Sequence, residues 1–208
     1  MWSLIIVACM ILLSVNACGS SRSLPATQSK PAQLAKQSLA PVSSVQHLRR
    51  QAEKGNFEAQ FALAQAYDRG RDVPKDKTEA VRWYQLAAKQ GDAFSQFYLG
   101  NNYWEGTGIA KNTKEAVRWW HSAAAQGFAP AQNSLGKALA TGGQDVPQDK
   151  IQAYMWLTLS AKQGDQEADQ ERTALSKQLK PTQLAKAQWL IKDWKPARPQ
   201  TVVNRSSP

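Results

Sequence analysis

The side chains able to do chemistry are few, and their spacing argues against catalysis. His47 and His121 share no ligand spacing with a cysteine or a carboxylate, so no metal site is expected. The carboxylates Asp76, Glu79, Glu115 and Asp149 fall in the patterns Asp76-Lys-Thr-Glu79, Asn112-Thr-Lys-Glu115 and Asp149-Lys-Ile-Gln152. Each pattern has the spacing of a capping box at a helix start, which accounts for its acids without acid–base work. Gly106-Thr-Gly108 is a lone Gly-x-Gly and reads as a turn. No nucleophile elbow, Ser-His-Asp set or phosphate-cradling loop is present. The sequence therefore predicts a protein that is not an enzyme and needs no cofactor.

What remains is binding chemistry, carried by aromatic side chains. Residues 79–91 read EAVRWYQLAAKQG, residues 115–127 EAVRWWHSAAAQG, and residues 152–164 QAYMWLTLSAKQG. Aligned on their Gln-Gly ends, the copies bring other positions into register: Trp83, Trp119 and Trp156; Gln60, Gln96 and Gln132; Leu63, Leu99 and Leu135; Gly70, Gly106 and Gly142. A period of this length marks a repeat architecture.

The elements that position these residues follow from the same register. Alanine and glutamine are abundant and β-branched residues sparse, which favours helix over sheet. In each unit a first helix begins after the glycine, at Asn56, Asp92 or Phe128, and Ala59, Leu63, Ala64 and Tyr67 mark its buried face at steps of three and four. Gly70 and Gly106 end that helix, and Gly142 sits in the same column. A second helix starts at the capping box and buries Ala80, Trp83, Ala87 and Ala88. Ala64, Gly100 and Gly136 are expected to face its alanines at close approach. Such pairs bury their apolar faces only by stacking, so the fold class is all-α, an α-solenoid of antiparallel helix pairs.

Positions shared by all copies serve packing; a binding face should use first-helix positions that vary. With Leu63 and Tyr67 buried, the inner side carries Glu58, Phe61, Gln65, Asp68 and Arg69, then Phe94, Phe97, Asn101, Trp104 and Glu105, then Pro130, Asn133, Lys137, Ala140 and Thr141. Phe61, Gln65, Phe94, Phe97, Asn101, Trp104 and Lys137 are the candidate partner-binding residues, because aromatics in a groove anchor peptides.

These columns resemble the Sel1-like repeat, a relative of the tetratricopeptide repeat. Residues 88–127 fit its pattern best; residues 52–91 depart at Ala64 and Asp72, where glycine is usual, and residues 124–164 carry Leu139 in place of tyrosine and one extra residue. Residues 43–54 resemble a lone preceding second helix, and residues 165–195 a C-terminal helical cap, so that the solenoid spans 43–195. The resemblance implies scaffolding, with a protein or peptide bound on a concave face.

The N-terminus carries a different signal. Leu4–Leu13 is an uninterrupted apolar run of h-region length, short for a membrane span. The sequence Val15-Asn-Ala-Cys18 followed by Gly19 resembles the bacterial lipobox. That implies a signal peptide over 1–17 and lipidation of Cys18; with Gly19 after the cysteine, it also implies an outer-membrane lipoprotein facing the periplasm. Residues 18–42, rich in Ser, Pro, Gln and Ala, form a tether, and 196–208 a disordered tail. The net charge of +10 is spread along the chain, so no nucleic-acid partner is expected. The combined expectation is an envelope-anchored interaction scaffold; the alternatives are a structural component holding acidic polymer or peptidoglycan, and an accessory to a cell-wall enzyme.

Overall fold

The computed structural model describes residues 40–143 and 145–197. Over these residues the chain forms nine helices and no strand: α1 (Ala40–Glu53), α2 (Phe57–Arg69), α3 (Lys77–Lys89), α4 (Ala93–Glu105), α5 (Thr113–Ala125), α6 (Ala129–Thr141), α7 (Lys150–Ala161), α8 (Gln166–Ser176) and α9 (Pro181–Asp193). Each helix from α1 to α7 packs on the next in sequence, and α9 folds back on α7, which gives a solenoid of helix pairs. The proposed signal peptide and Cys18 lie outside the described residues, as does most of the tether; its last three positions, 40–42, are already the first turn of α1.

Short side chains at the helix starts explain where the pairs begin. Asn56 Oδ1 accepts from the Ala59 N–H at 2.7 Å, and Asp92 Oδ2 from the Ser95 N–H at 2.7 Å. Phe128, in the same column, has no acceptor to offer; there Pro130 in the first turn removes one N–H that would otherwise need a partner. Asp76, Asn112 and Asp149 cap α3, α5 and α7 through the N–H groups of Glu79, Glu115 and Gln152.

The reciprocal arm of the capping boxes does not form, a correction to the sequence reading. The backbone N–H groups of Asp76, Asn112 and Asp149 donate instead to the carbonyls of Tyr67, Tyr103 and Leu139, at 3.0, 2.8 and 2.9 Å. The last turn of the preceding helix reaches these donors first. Glu79 and Glu115 are left to pair with Arg82 and Arg118 on the exposed surface.

A second correction concerns the small residues. Gly100 lies against Trp120, so close that a Cβ would sit 2.5 Å from Trp120 Cδ1, and Gly136 lies against Leu157, at 2.7 Å. The small column thus makes room for the residue after each repeated tryptophan, not for the alanines; in the first unit the matching pair is Ala64 and Tyr84, both buried in one cluster. Gly142 also departs from its column. Gly70 and Gly106 are left-handed, with ψ of 37° and 33°, whereas Gly142 has ψ of −173°, because the extra residue of the third unit reshapes this turn.

The glutamine columns form a joint that recurs at each unit. Gln60, Gln96 and Gln132 are buried on the first helices, and their Nε2 groups donate to the carbonyls of Ala52, Ala88 and Ala124 on the helix before. Their Oε1 atoms accept from Gln90, Gln126 and Gln163, at 2.7 to 2.9 Å. Because Ala52 belongs to α1, that helix occupies the place of a second helix ahead of the first unit.

Asp72 has φ 61°, the only positive φ among the described non-glycine residues, and it shares a column with Gly108 at φ 71°. Asp72→Gly relieves a left-handed conformation that costs an L-residue about 1 kcal/mol, offset in part by glycine's larger unfolded-state entropy. The expected result in urea titration is a gain of about 0.5 kcal/mol with an unchanged m-value.

Candidate functional site

The side chains of α4, α5, α6 and α8 enclose an open groove of about 420 Å³. Asn101, Trp104 and Glu105 come from α4, Trp120 from α5, Asn133, Ser134, Lys137, Ala138 and Thr141 from α6, and Glu167 from α8. Asn101 and Trp104 share a helix face by their three-residue spacing, as do Asn133 and Lys137 by a spacing of four. Trp120 reaches the groove because Gly100 leaves it space.

One wall is aromatic. The Trp104 and Trp120 rings stand 5.1 Å apart at a tilt of 40°, and the Trp120 indole N–H donates to Asn101 Oδ1 at 2.9 Å. The opposite wall is polar and charged. Lys137 Nζ lies 2.7 Å from Glu167 Oε1, and Asn133 Nδ2 donates to Glu167 Oε2 at 3.0 Å. The bonds from Lys137 and then Asn133 hold the Glu167 carboxyl below its usual value. Asn133 Oδ1 is buried and has no partner among the described residues. Aromatic faces beside fixed polar groups can bind and orient a ligand.

The candidate residues divide into two sets. Asn101, Trp104 and Lys137 meet in the groove; Gln65, in the same column as Asn101 and Lys137, lies one unit away on α2 and does not line it. Phe61, Phe94 and Phe97 belong to an aromatic cluster. Phe61 packs 6.0 Å from Tyr84, 5.8 Å from Phe94 and 5.9 Å from Tyr98; Phe97 packs 5.4 Å from Phe128, and Phe94 4.8 Å from Phe128. Phe61 and Phe97 are half-buried, and Phe94 is half-exposed at the cluster's edge. Sequence reasoning missed Trp120 and Glu167. For Glu167, a charge opposite to Lys137 thirty residues on was the available signal.

The repeated tryptophans pack as the phrase suggested. Trp83 and Trp156 are buried, and Trp119 packs against the first cluster. The indole N–H groups of all three are buried without a partner among the described residues. Arg82 and Arg118 lie 5.6 Å over the rings of Trp83 and Trp119. Among the described residues no cluster of three or more His, Cys, Asp or Glu could hold a metal ion, and no helix is long and apolar enough to cross a membrane.

The model of the Sel1 repeat matches residues 57–92, 93–128 and 129–165, which is more than half of the chain. Among solved structures, a Sel1 repeat protein from Oxalobacter formigenes is 31% identical with a TM-score of 0.58, over 63% of this chain and 98% of that one. A protective antigen present in uropathogenic Escherichia coli strains, displaying an SLR fold, is 28% identical with a TM-score of 0.55, over 78% of this chain and 43% of that one. No curated protein matches the sequence.

Proposed function

The chain belongs to the Sel1 repeat family, and on that premise we propose that it is an envelope-anchored scaffold that binds a protein or peptide partner in the groove between α4, α6 and α8. The observation that carries this reading is the pairing of the Trp104–Trp120 wall with the Asn133–Lys137–Glu167 wall in one open groove. Buried aromatics beside polar groups are the usual anchors of peptide recognition. Glu105 and Glu167 place carboxylates on the groove, which favours a neutral or basic peptide segment over an acidic polymer. What supports binding over catalysis is how these groups are engaged: the exposed His121 lies edge-on to the Trp156 ring at 5.7 Å, and Asp76 and Asp149 cap helix starts.

The test is capture from solubilised envelope by the immobilised protein. Trp104→Ala and Glu105→Lys should each cut partner recovery tenfold or more, the scale of a loss of about 1.4 kcal/mol, with helical circular dichroism retained. Undiminished recovery by both variants would overturn the reading. Anchoring is tested separately by Cys18→Ser. That variant should move the protein from the membrane fraction to the soluble fraction, and continued membrane association would remove the lipid from the proposal.

A further inference from the structure

The groove between α4, α6 and α8 holds more acceptor than its own residues use. An ionised Glu167 only accepts, and Asn133 Nδ2 donates to it at 3.0 Å. That bond fixes the Asn133 amide, so its Oδ1 faces away from Glu167. Asn133 lines the groove and is only 8% exposed, and its Oδ1 has no donor among the described residues. A buried acceptor in this state calls for a donor from outside. The charges point the same way. The lining carries two carboxylates, Glu105 and Glu167, against one ammonium, Lys137, on a chain whose net charge is +10. The Lys137–Glu167 pair is itself exposed, with side chains 43% and 60% accessible, so it adds little and yields to a better-matched cation. Trp104, half-buried in the facing wall, offers the ring on which such a cation can rest. In the groove one unit earlier the same columns hold Arg69 for Glu105, Phe97 for Asn133 and Pro130 for Glu167. The set of acceptors is therefore not repeated there, which fits one side chain and not a repeating ligand.

We propose that the partner places an arginine side chain in this groove, its guanidinium over the Trp104 ring and its N–H groups shared between Glu167 and Asn133 Oδ1, within the field of Glu105. The inference rests on the groove being the partner-binding face. Arginine fits where lysine does not, because a guanidinium is planar, carries its donors in a rigid fork and is more weakly hydrated than an ammonium. Until the arginine arrives, Lys137 holds its place on Glu167 and so acts as an internal competitor.

The experiment is an NMR titration of the full chain with a capped Gly-Gly-Arg-Gly-Gly peptide and with its lysine and citrulline counterparts. The indole resonances are assigned from Trp104→Phe and Trp120→Phe. The expected result is a saturable shift of both indoles with the arginine peptide, about fivefold weaker binding with lysine and about tenfold weaker with the uncharged citrulline. Glu167→Gln should weaken the arginine peptide about tenfold, and Lys137→Met should tighten it about threefold. No saturable shift, equal binding of citrulline, or weaker binding by Lys137→Met would overturn the proposal. Capture from solubilised envelope separates it from the reading it rests on. Recovery cut by Trp104→Ala but unchanged in the double variant Glu105→Gln, Glu167→Gln overturns the arginine and leaves the groove standing. Recovery unchanged in all of these variants removes both.

Discussion

Trp156→Ala should cost about 3–5 kcal/mol of unfolding free energy, the range for removing a buried tryptophan. Trp156 is buried in the cluster that holds Trp120, Leu135 and Leu159, and the His121 and Trp194 rings pack on it. The loss therefore has two parts: a cavity in the core, and release of the segment after α9. Chemical denaturation measures the first; faster amide exchange at Ala197, whose N–H is bonded to Ala125, measures the second. Trp156→Phe separates area from polarity. The indole N–H has no partner among the described residues, so phenylalanine forfeits no hydrogen bond to them and should cost about 1 kcal/mol. Equal losses for Ala and Phe would contradict this assignment of the tryptophan to packing.

Gly108→Ala should be nearly as damaging, for a different reason. A Cβ at Gly108 would meet the Lys77 carbonyl oxygen at 2.2 Å and its carbon at 2.5 Å. Both atoms are backbone at the start of α3, so no side chain can swing aside. The φ of 71° adds left-handed strain. Overpacking of this kind costs about 1–3 kcal/mol and the conformation about 1 kcal/mol more. Thermal unfolding should show a large drop for Gly108→Ala and a change within about 0.5 kcal/mol for Gly143→Ala, where a Cβ meets nothing within 4 Å.

The contrast between these glycines shows what a sequence can and cannot convey. The period, the helix starts at Asn56 and Asp92, the left-handed ends at Gly70 and Gly106, and the buried Leu63, Leu99 and Leu135 were legible because each is a local rule repeated in register. Contacts between helices were not. Nothing local says that the Tyr67 carbonyl reaches the Asp76 N–H before Glu79 can. Nor does spacing say whether Gly100 receives an alanine or Trp120, since both lie on the facing helix. The site divided for a related reason. Phe61 and Phe97 share a face with Asn101 and Trp104 in projection, but the half-buried phenylalanines join the cluster around Tyr98, while Trp104 meets Trp120. Glu167 escaped notice because it lies beyond the three units, on a helix read only as a cap.

The glutamine joint has a consequence for how such a chain can grow. Each unit presents alanine carbonyls near the end of its second helix and a buried glutamine on its first, and the unit after it uses the same two groups. The joint between α3 and α4 is therefore chemically interchangeable with that between α5 and α6. A duplicated unit inherits both halves of the coupling and needs no compensating substitution at its borders. Array length is then free to drift by whole units, while the sequences at the two ends, which meet no further unit, are free to take other roles.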